Sequence, residues 1–512
     1  MVVSLLQIIA TGLQDERLLP TKGKPSVSFF QKVFVRAGRF TTAWVRLDFD
    51  TRPNFGSQAT ITLPRQGHLI TRLYLVTTMP DILTPQLEAR AAATSTFLGP
   101  TFGWTNSLGH ALIQSATLEI GGARVETLNG RLLELLDEFN TPLEKVTSMN
   151  GLLPRIQNGF TPTSIGWTES PTVAVTPLPF WFSRGDPGVA LPIDAINNDQ
   201  VRLSVSFAPV TSLYVSSAQN PISTRSQPPA GSGYFPLLNS PFYQTGGTQT
   251  VTGLTGNPSV SQLVTDISGK RMPVSLTLGD TYVLAEYVYL DKPEANKFRI
   301  SDIQYPIVQH YLFEPTDSNG LPNLTIPLRV PNPTRDLFFF AQRFEAAAYN
   351  APFLASRDLS GLGIANAPWW PDATGLDPVN LGFLAPAFST RQSEPIDSLS
   401  LVYESKLYRY NTYAPALFRS LLPSLVQKKT PWINAYYYNL PFGMEHGIFP
   451  PSVVTGEANL DKVEKVELRL QFKPYLGSMD PNNVPRYIVY CFAETYNILR
   501  IYGGRAGVLF QF

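Results

Sequence analysis

Residues 177–207 read PLPFWFSRGDPGVALPIDAINNDQVRLSVSF. The segment ends in strict alternation, with Val201, Leu203, Val205 and Phe207 on one face and Arg202, Ser204 and Ser206 on the other. A period of two predicts a strand whose sheet buries one face. Upstream, Phe180-Trp181-Phe182 reads as an aromatic strand and Arg184-Gly185-Asp186-Pro187-Gly188 as a tight turn. Residues 193–198 have room for one or two helical turns. Nothing in the stretch looks like a reaction centre.

Working outward, segments 26–36 (SVSFFQKVFVR), 41–49 (TTAWVRLDF), 58–63 (QATITL) and 69–77 (LITRLYLVT) read as strands. Residues 80–110, punctuated by Pro, Ala and Gly, read as a loop. Residues 116–126 (ATLEIGGARVE) form a hairpin pattern, with Gly121-Gly122 supplying the positive-φ turn. A helix follows, because Leu132, Leu135, Leu136 and Phe139 fall at i, i+3, i+4 and i+7. Beyond the opening stretch, residues 211–280 are rich in Ser, Thr, Gln, Gly and Pro and read as a long surface excursion, since TYVLAEYVYL (281–290) resumes a strand.

The segment DKPEANKFRI (291–300) then leads to a second set of elements in the same order. It holds a hairpin pattern at 398–410 and a short helix begun by Pro415, with Leu417 and Leu421 one turn apart. An aromatic run, Tyr436-Tyr437-Tyr438, precedes an alternating strand, VELRLQF (466–472). VRLSVSF and VELRLQF share one binary pattern and the final Phe, which marks an internal duplication. A long loop, 344–395, includes Pro368-Trp369-Trp370-Pro371. Two all-β halves with two short helices favour sandwiches or jelly rolls over an alternating α/β fold. The division expected is an arm at 1–25, a first unit at 26–295 and a second at 296–512.

Composition narrows the function classes. The chain has 512 residues, 43% hydrophobic and only 15% charged, with 45 Pro and 36 Gly. Low charge predicts that part of the surface is covered by other copies of the chain. A formal net charge of +1 removes the usual electrostatic motive for gripping a phosphate backbone, so no direct nucleic-acid partner is expected. The single cysteine, Cys491, excludes an intramolecular disulfide and reads as a buried apolar residue within YIVYCFAETY. The opening MVVSLLQIIATGL has no Lys or Arg before Arg17, so it reads as an apolar arm rather than a secretion signal.

Four places carry a resemblance. They are the arm Leu6-Gln7-Ile8-Ile9-Ala10 through Gln14-Asp15 to Phe29-Phe30; the hairpin LEIGG at 118–122; PLPFWF with PGVALP within 177–192; and Tyr496-Asn497-Ile498-Leu499-Arg500-Ile501 followed by Gly503-Gly504. In this order they resemble the double jelly-roll major capsid proteins of the nucleocytoplasmic large DNA viruses. Arg184-Gly185-Asp186 departs from the shorter polar turn of many relatives. The resemblance implies an all-β chain of two consecutive eight-stranded jelly rolls with short helices and long surface loops. It implies a homotrimer whose six jelly rolls make a pseudo-hexagonal capsomer of an icosahedral virion, assembled in the host cytoplasm. Implied partners are neighbouring capsomers, minor capsid and penton proteins, and an internal viral membrane on the inner face. It implies no enzyme activity and no cofactor.

Chemistry-bearing patterns are sparse. His68, His110, His310 and His446 lie far apart, and neither HExxH nor paired CxxC occurs, so no metal site is expected. Gly269-Lys270 continues to Arg271 and lacks the glycine of a phosphate loop. No GxSxG elbow marks a nucleophile. Arg184-Gly185-Asp186 has the composition of an integrin-binding tripeptide but lies in a Pro-Gly turn between strands, and reads as turn chemistry. Asn323-Leu324-Thr325 is a lone sequon, expected to be unused. Trp369-Trp370 and Tyr436 to Tyr438 offer a sugar platform or, as the favoured reading, core and interface. Glu467 is expected to face solvent. The competing functions are a membrane-shaping viral scaffold of the same fold and a β-sandwich carbohydrate-binding protein or glycoside hydrolase.

Overall fold

The computed structural model describes residues 39–81, 102–155, 173–216, 276–344, 346, 350–357, 394–431, 435–444, 453–474 and 480–510. The first half supplies β1 (Phe40–Asp48), β2 (Gln58–Thr62), β3 (Leu69–Thr78), β4 (Phe102–Trp104), β5 (Ile113–Ile120), β6 (Ala123–Leu128), β7 (Val173–Pro177), β8 (Val201–Phe207), β9 (Tyr214–Ser216) and β10 (Thr281–Leu290). The second half supplies β11 (Ile303–Leu312), β12 (Thr316–Asp317), β13 (Asn323–Pro327), β14 (Pro333–Arg343), β15 (Ile396–Tyr403), β16 (Leu407–Tyr413), β17 (Tyr437–Pro441), β18 (Ala458–Asn459), β19 (Val466–Phe472), β20 (Tyr487–Tyr502) and β21 (Arg505–Val508).

The first half builds two four-stranded sheets, β1-β10-β3-β7 and β2-β8-β5-β6. The second repeats both orders as β11-β20-β14-β17 and β13-β19-β15-β16, with β12, β18 and β21 added to the first of these. The duplication read from VRLSVSF and VELRLQF is therefore complete at the level of topology. β8 and β19 occupy the same place, between β2 and β5 and between β13 and β15. Each half is a jelly roll, a double sheet that limits its exposed edges by wrapping.

Local chemistry explains the elements. Val201, Leu203, Val205 and Phe207 are all buried, and Arg202 is exposed, as alternation requires. Gly121 and Gly122 turn the β5–β6 hairpin at φ 59° and 83°, the left-handed conformation that a two-residue turn demands. Asn129 caps the helix Gly130–Asn140 by accepting from the Leu132 amide at 2.8 Å. Its apolar stripe ends in Phe139, which meets Phe338 of β14 at 5.2 Å between ring centroids. The two halves thus share one continuous apolar core.

The structure departs from the sequence expectations in places. Phe180, Trp181 and Phe182 are fully buried, but they enter a 3-10 turn (Trp181–Ser183) after the strand Val173–Pro177 has ended. Within 80–110, β4 and a helical turn, Leu108–Ala111, interrupt the expected loop. Residues 291–300 contain a further helix, Lys292–Ile300, capped by Asp291. The helix begun by Pro415 contains a π turn, Leu417–Leu421, which turns Phe418 inward and leaves Leu421 54% exposed. Ser204, on the polar face of β8, is buried. The segments 1–25, 26–36 and most of the loops 211–280 and 344–395 lie outside the described residues.

Candidate functional site

The most organised polar feature is a charged seam where the two halves meet. β6 of the first half faces β11 of the second, and the Gln309 side chain donates to the Val125 carbonyl at 2.8 Å. Glu126, next along β6, accepts from His310 Nδ1 at 2.7 Å and from the His310 amide at 3.3 Å. It also accepts from the Trp181 amide at 3.4 Å, which ties the aromatic run to the seam. On the other side of His310, Nε2 lies 3.5 Å from Glu494 of β20. Arg184 reaches Glu494 at 2.5 Å, and Arg335 of β14 stands 3.7 Å from the same carboxylate. The side chains of Glu126 and His310 are fully buried, and Glu494 and Arg335 are 3% exposed.

The electrostatics follow from this geometry. Burial alone would raise the Glu494 carboxyl, yet the Arg184 and Arg335 guanidiniums and the His310 bond hold it well below the usual carboxylate range. Burial alone would lower His310, but its hydrogen bonds to Glu126 and Glu494 outweigh this and raise it. A second buried cluster lies beside the seam in the first half. There Glu134 takes His110 Nδ1 and Arg155 Nη2, each at 2.6 Å, while Arg155 Nη1 holds Asp137. Burial opposes ionisation of Glu134, but Arg155 and His110 bring it down to about 2.

Further contacts clamp the halves. Lys429 donates to Glu138 at 3.0 Å, and its amide donates to the Phe139 carbonyl at 3.1 Å. The β20–β21 hairpin docks on the first half: the Asn198 amide donates to the Gly504 carbonyl at 2.8 Å, and its side chain to the Gly503 carbonyl at 2.7 Å. The Ala506 amide donates to Asp199 at 3.1 Å. Gly504 has φ +78°, and a Cβ there would collide with the Asn197 side chain. A glycine is required at this turn.

The residues singled out in the sequence are placed as follows. Arg184 points inward to Glu494, and Asp186 caps its own turn by accepting from the Gly188 amide at 2.9 Å, so the tripeptide is turn and seam. Tyr436, Tyr437 and Tyr438 are buried in the core, with Tyr438 stacked on Phe339 at 5.0 Å. Cys491 is buried, and burial pushes its thiol up to about 12. His68 Nδ1 accepts from the Leu290 amide at 2.8 Å. His446, Trp369-Trp370 and Gly269-Lys270 fall outside the described residues. Glu467 does not face open solvent: Lys465 and Arg469 bind it at 2.8 and 2.7 Å, and it is 7% exposed. Among the described residues no three His, Cys, Asp or Glu side chains gather as metal ligands, and no helix is long and apolar enough to cross a membrane. The seam residues Glu126, His310, Arg335 and Glu494 had no sequence signal, since only the tertiary fold brings them together.

A double sandwich with one strand order used twice is the class of fold that this chain defines. Comparison with known proteins shows what it is similar to: residues 28–238 match the family described as major capsid protein N-terminus. The major capsid protein of Pyramimonas orientalis virus is 31% identical over 40% of this chain and 46% of its own length. The major capsid protein of Wiseana iridescent virus is 24% identical over 94% of this chain and 88% of its own. The solved structure described as the PBCV-1 virus capsid, quasi-atomic model, superposes with a TM-score of 0.63 at 18% identity, covering 95% of this chain and all of that one. The chain is thus similar to the major capsid proteins of large DNA viruses, and its fold is a double jelly roll. It spans less than half the length of several curated relatives it matches, from 35% to 46%.

Proposed function

We propose that the chain is itself a major capsid protein, a structural component of the virion with no catalytic role. Three copies close into a pseudo-hexagonal capsomer that tiles an icosahedral shell, assembled in the host cytoplasm. The observation that carries this reading is the repeated strand order. Two equivalent sandwiches per chain, taken three times, place six similar units around a threefold axis. The jelly rolls at 26–295 and 296–512 are the repeating units, and the loops 211–280 and 344–395 are outward towers or trimer-locking arms. The arm 1–25 lies on the inner face near minor capsid and penton proteins and the internal membrane.

Exposed apolar groups support a covered surface. Leu421 and Leu425, one helical turn apart, are 54% and 64% exposed, and Phe40 and Trp44 on the edge strand β1 are 61% and 46% exposed. Such groups suit burial between subunits. Light scattering on the purified protein tests the reading. A particle of three times 56.6 kDa is expected, whereas a monomer retained on a glycan column would favour a carbohydrate-binding protein. Deletion of residues 1–25 is expected to leave the trimer folded and to impair shell assembly.

A further inference from the structure

A cleft of about 580 Å³ opens beside the seam, between the Arg184-Gly185-Asp186 turn, the end of the helix Gly130–Asn140 and two residues of the second half, Arg335 and Lys428. Five cations line it: Arg72, Lys145, Arg184, Arg335 and Lys428. Two carboxylates, Asp137 and Asp186, line it with them. Several of these charges are already matched. Arg72 lies 3.5 Å from Glu286, Arg184 binds Glu494, and Asp137 binds Arg155. Asp186 caps its own turn.

Of the remaining cations the two lysines are unmatched, and Arg335 is ion-paired but leaves Nε and Nη1 without a hydrogen bond. Among the described residues, neither Lys145 nor Lys428 has a carboxylate within ion-pair distance. Arg335 is 3% exposed, and its Nε and Nη1 have no hydrogen-bond partner; Glu494 at 3.7 Å and Asp336 at 3.9 Å are too far to accept one. A buried guanidinium with idle donors is costly unless an acceptor comes to it. The surroundings of Lys428 are equally one-sided. Burial lowers its ammonium below the ordinary value, and Arg184, Lys145 and Arg335 lower it further. Lys145 and Lys428 therefore add cationic charge to the cleft that no carboxylate at ion-pair distance offsets.

We propose that this cleft is a binding site for a compact polyanion of the polyphosphate class, held by Arg335 and Lys428 from the second half and by Lys145 from the first, beside the Arg184–Glu494 pair. The cleft's volume lies within the usual range for small-molecule sites, about 300–1,000 Å³. Planar guanidiniums and flexible ammoniums are the side chains that grip phosphoryl oxygens. A monoanion would leave part of the surplus charge unmatched, whereas two or three phosphoryl groups carry enough charge and oxygens for Lys145, Lys428 and the idle donors of Arg335. Once bound, it bridges the two halves and adds to the clamp made by Lys429 and the C-terminal hairpin. This site requires only the folded chain, so it stands or falls separately from the assembly reading.

The test uses the full-length protein at fixed ionic strength, because exposed charges are screened by salt. Titration calorimetry with sodium tripolyphosphate should show one site per chain, and saturation should raise the unfolding temperature by about 2–4 °C. ATP and citrate serve as parallel probes. Binding of tripolyphosphate alone points to inorganic polyphosphate, and equal binding of ATP points to a nucleotide. Binding of citrate with equal strength overturns the phosphoryl assignment. The Lys145→Met/Lys428→Met double variant should bind tripolyphosphate at least tenfold more weakly, while its ligand-free unfolding temperature stays level or rises. No heat at millimolar tripolyphosphate, or affinity unchanged in that variant, would overturn the site.

Discussion

Replacing Glu494 by Gln preserves the size of the side chain and removes one negative charge from the seam. The loss leaves the Arg184 and Arg335 guanidiniums without their shared carboxylate and His310 without its second partner. The Glu494 side chain is 3% exposed, Arg184 11% and His310 0%. The appropriate magnitude is therefore that of a broken buried pair, about 3–5 kcal/mol, and not the ~1 kcal/mol or less of a surface pair. Urea unfolding midpoints at neutral pH would be measured for the wild type, Glu494→Gln, Arg184→Met and the double variant. Because each single change strands the other member of the pair, the double variant should lose less than their sum, by about 2 kcal/mol. A Glu494→Gln protein within about 1 kcal/mol of wild type, or a strictly additive cycle, would refute the mutual dependence of these charges. Arg184 lies on the first half and Glu494 on the second, so the same coupling measures how firmly the halves are joined.

Phe338→Ala removes a ring that is 2% exposed and packed at a tilt against Phe139, and calorimetry should show a loss of about 3–5 kcal/mol. Gly504→Ala places a Cβ at positive φ against Asn197; a cost of about 2 kcal/mol and faster hydrogen exchange in β21 are expected. Glu134, brought from 4.5 to about 2, contributes stability that is present above pH 4.5 and lost as pH falls through the lower value, so Glu134→Gln should flatten the acid limb of a melting-temperature profile. His310 has the opposite sign. Raised from 6.5, it contributes stability that is complete below that pH and fades as pH rises through the folded value, a slope that His310→Asn should abolish.

What could be read from the sequence was whatever repeats at short range. Alternation placed β8 and β19, Gly121-Gly122 placed the hairpin, and the spacing from Leu132 to Phe139 placed the helix. The aromatic run at 180–182 deceived because a continuous apolar stretch buries every residue whether it is extended or coiled into a 3-10 turn. Leu421 was misplaced because a π turn shifts the faces of a helix by one residue. Glu467 occupies a position where alternation puts a polar residue, but Lys465 and Arg469 cover it. The seam was invisible for a different reason. Glu126 and His310 are 184 residues apart, and no spacing rule reaches across such a distance.

The position of β10 and β20 has a consequence for biogenesis. Each is the closing strand of its sandwich, yet each is threaded into the interior of a sheet, between β1 and β3 and between β11 and β14. Until residues 281–290 leave the ribosome, the first sandwich keeps an empty slot flanked by two unsatisfied strand edges. Such a gap invites a strand from another nascent copy. A keystone delivered so late makes long-range closure the slow event in folding, and it favours synthesis conditions that keep newly made chains apart until the slot is filled.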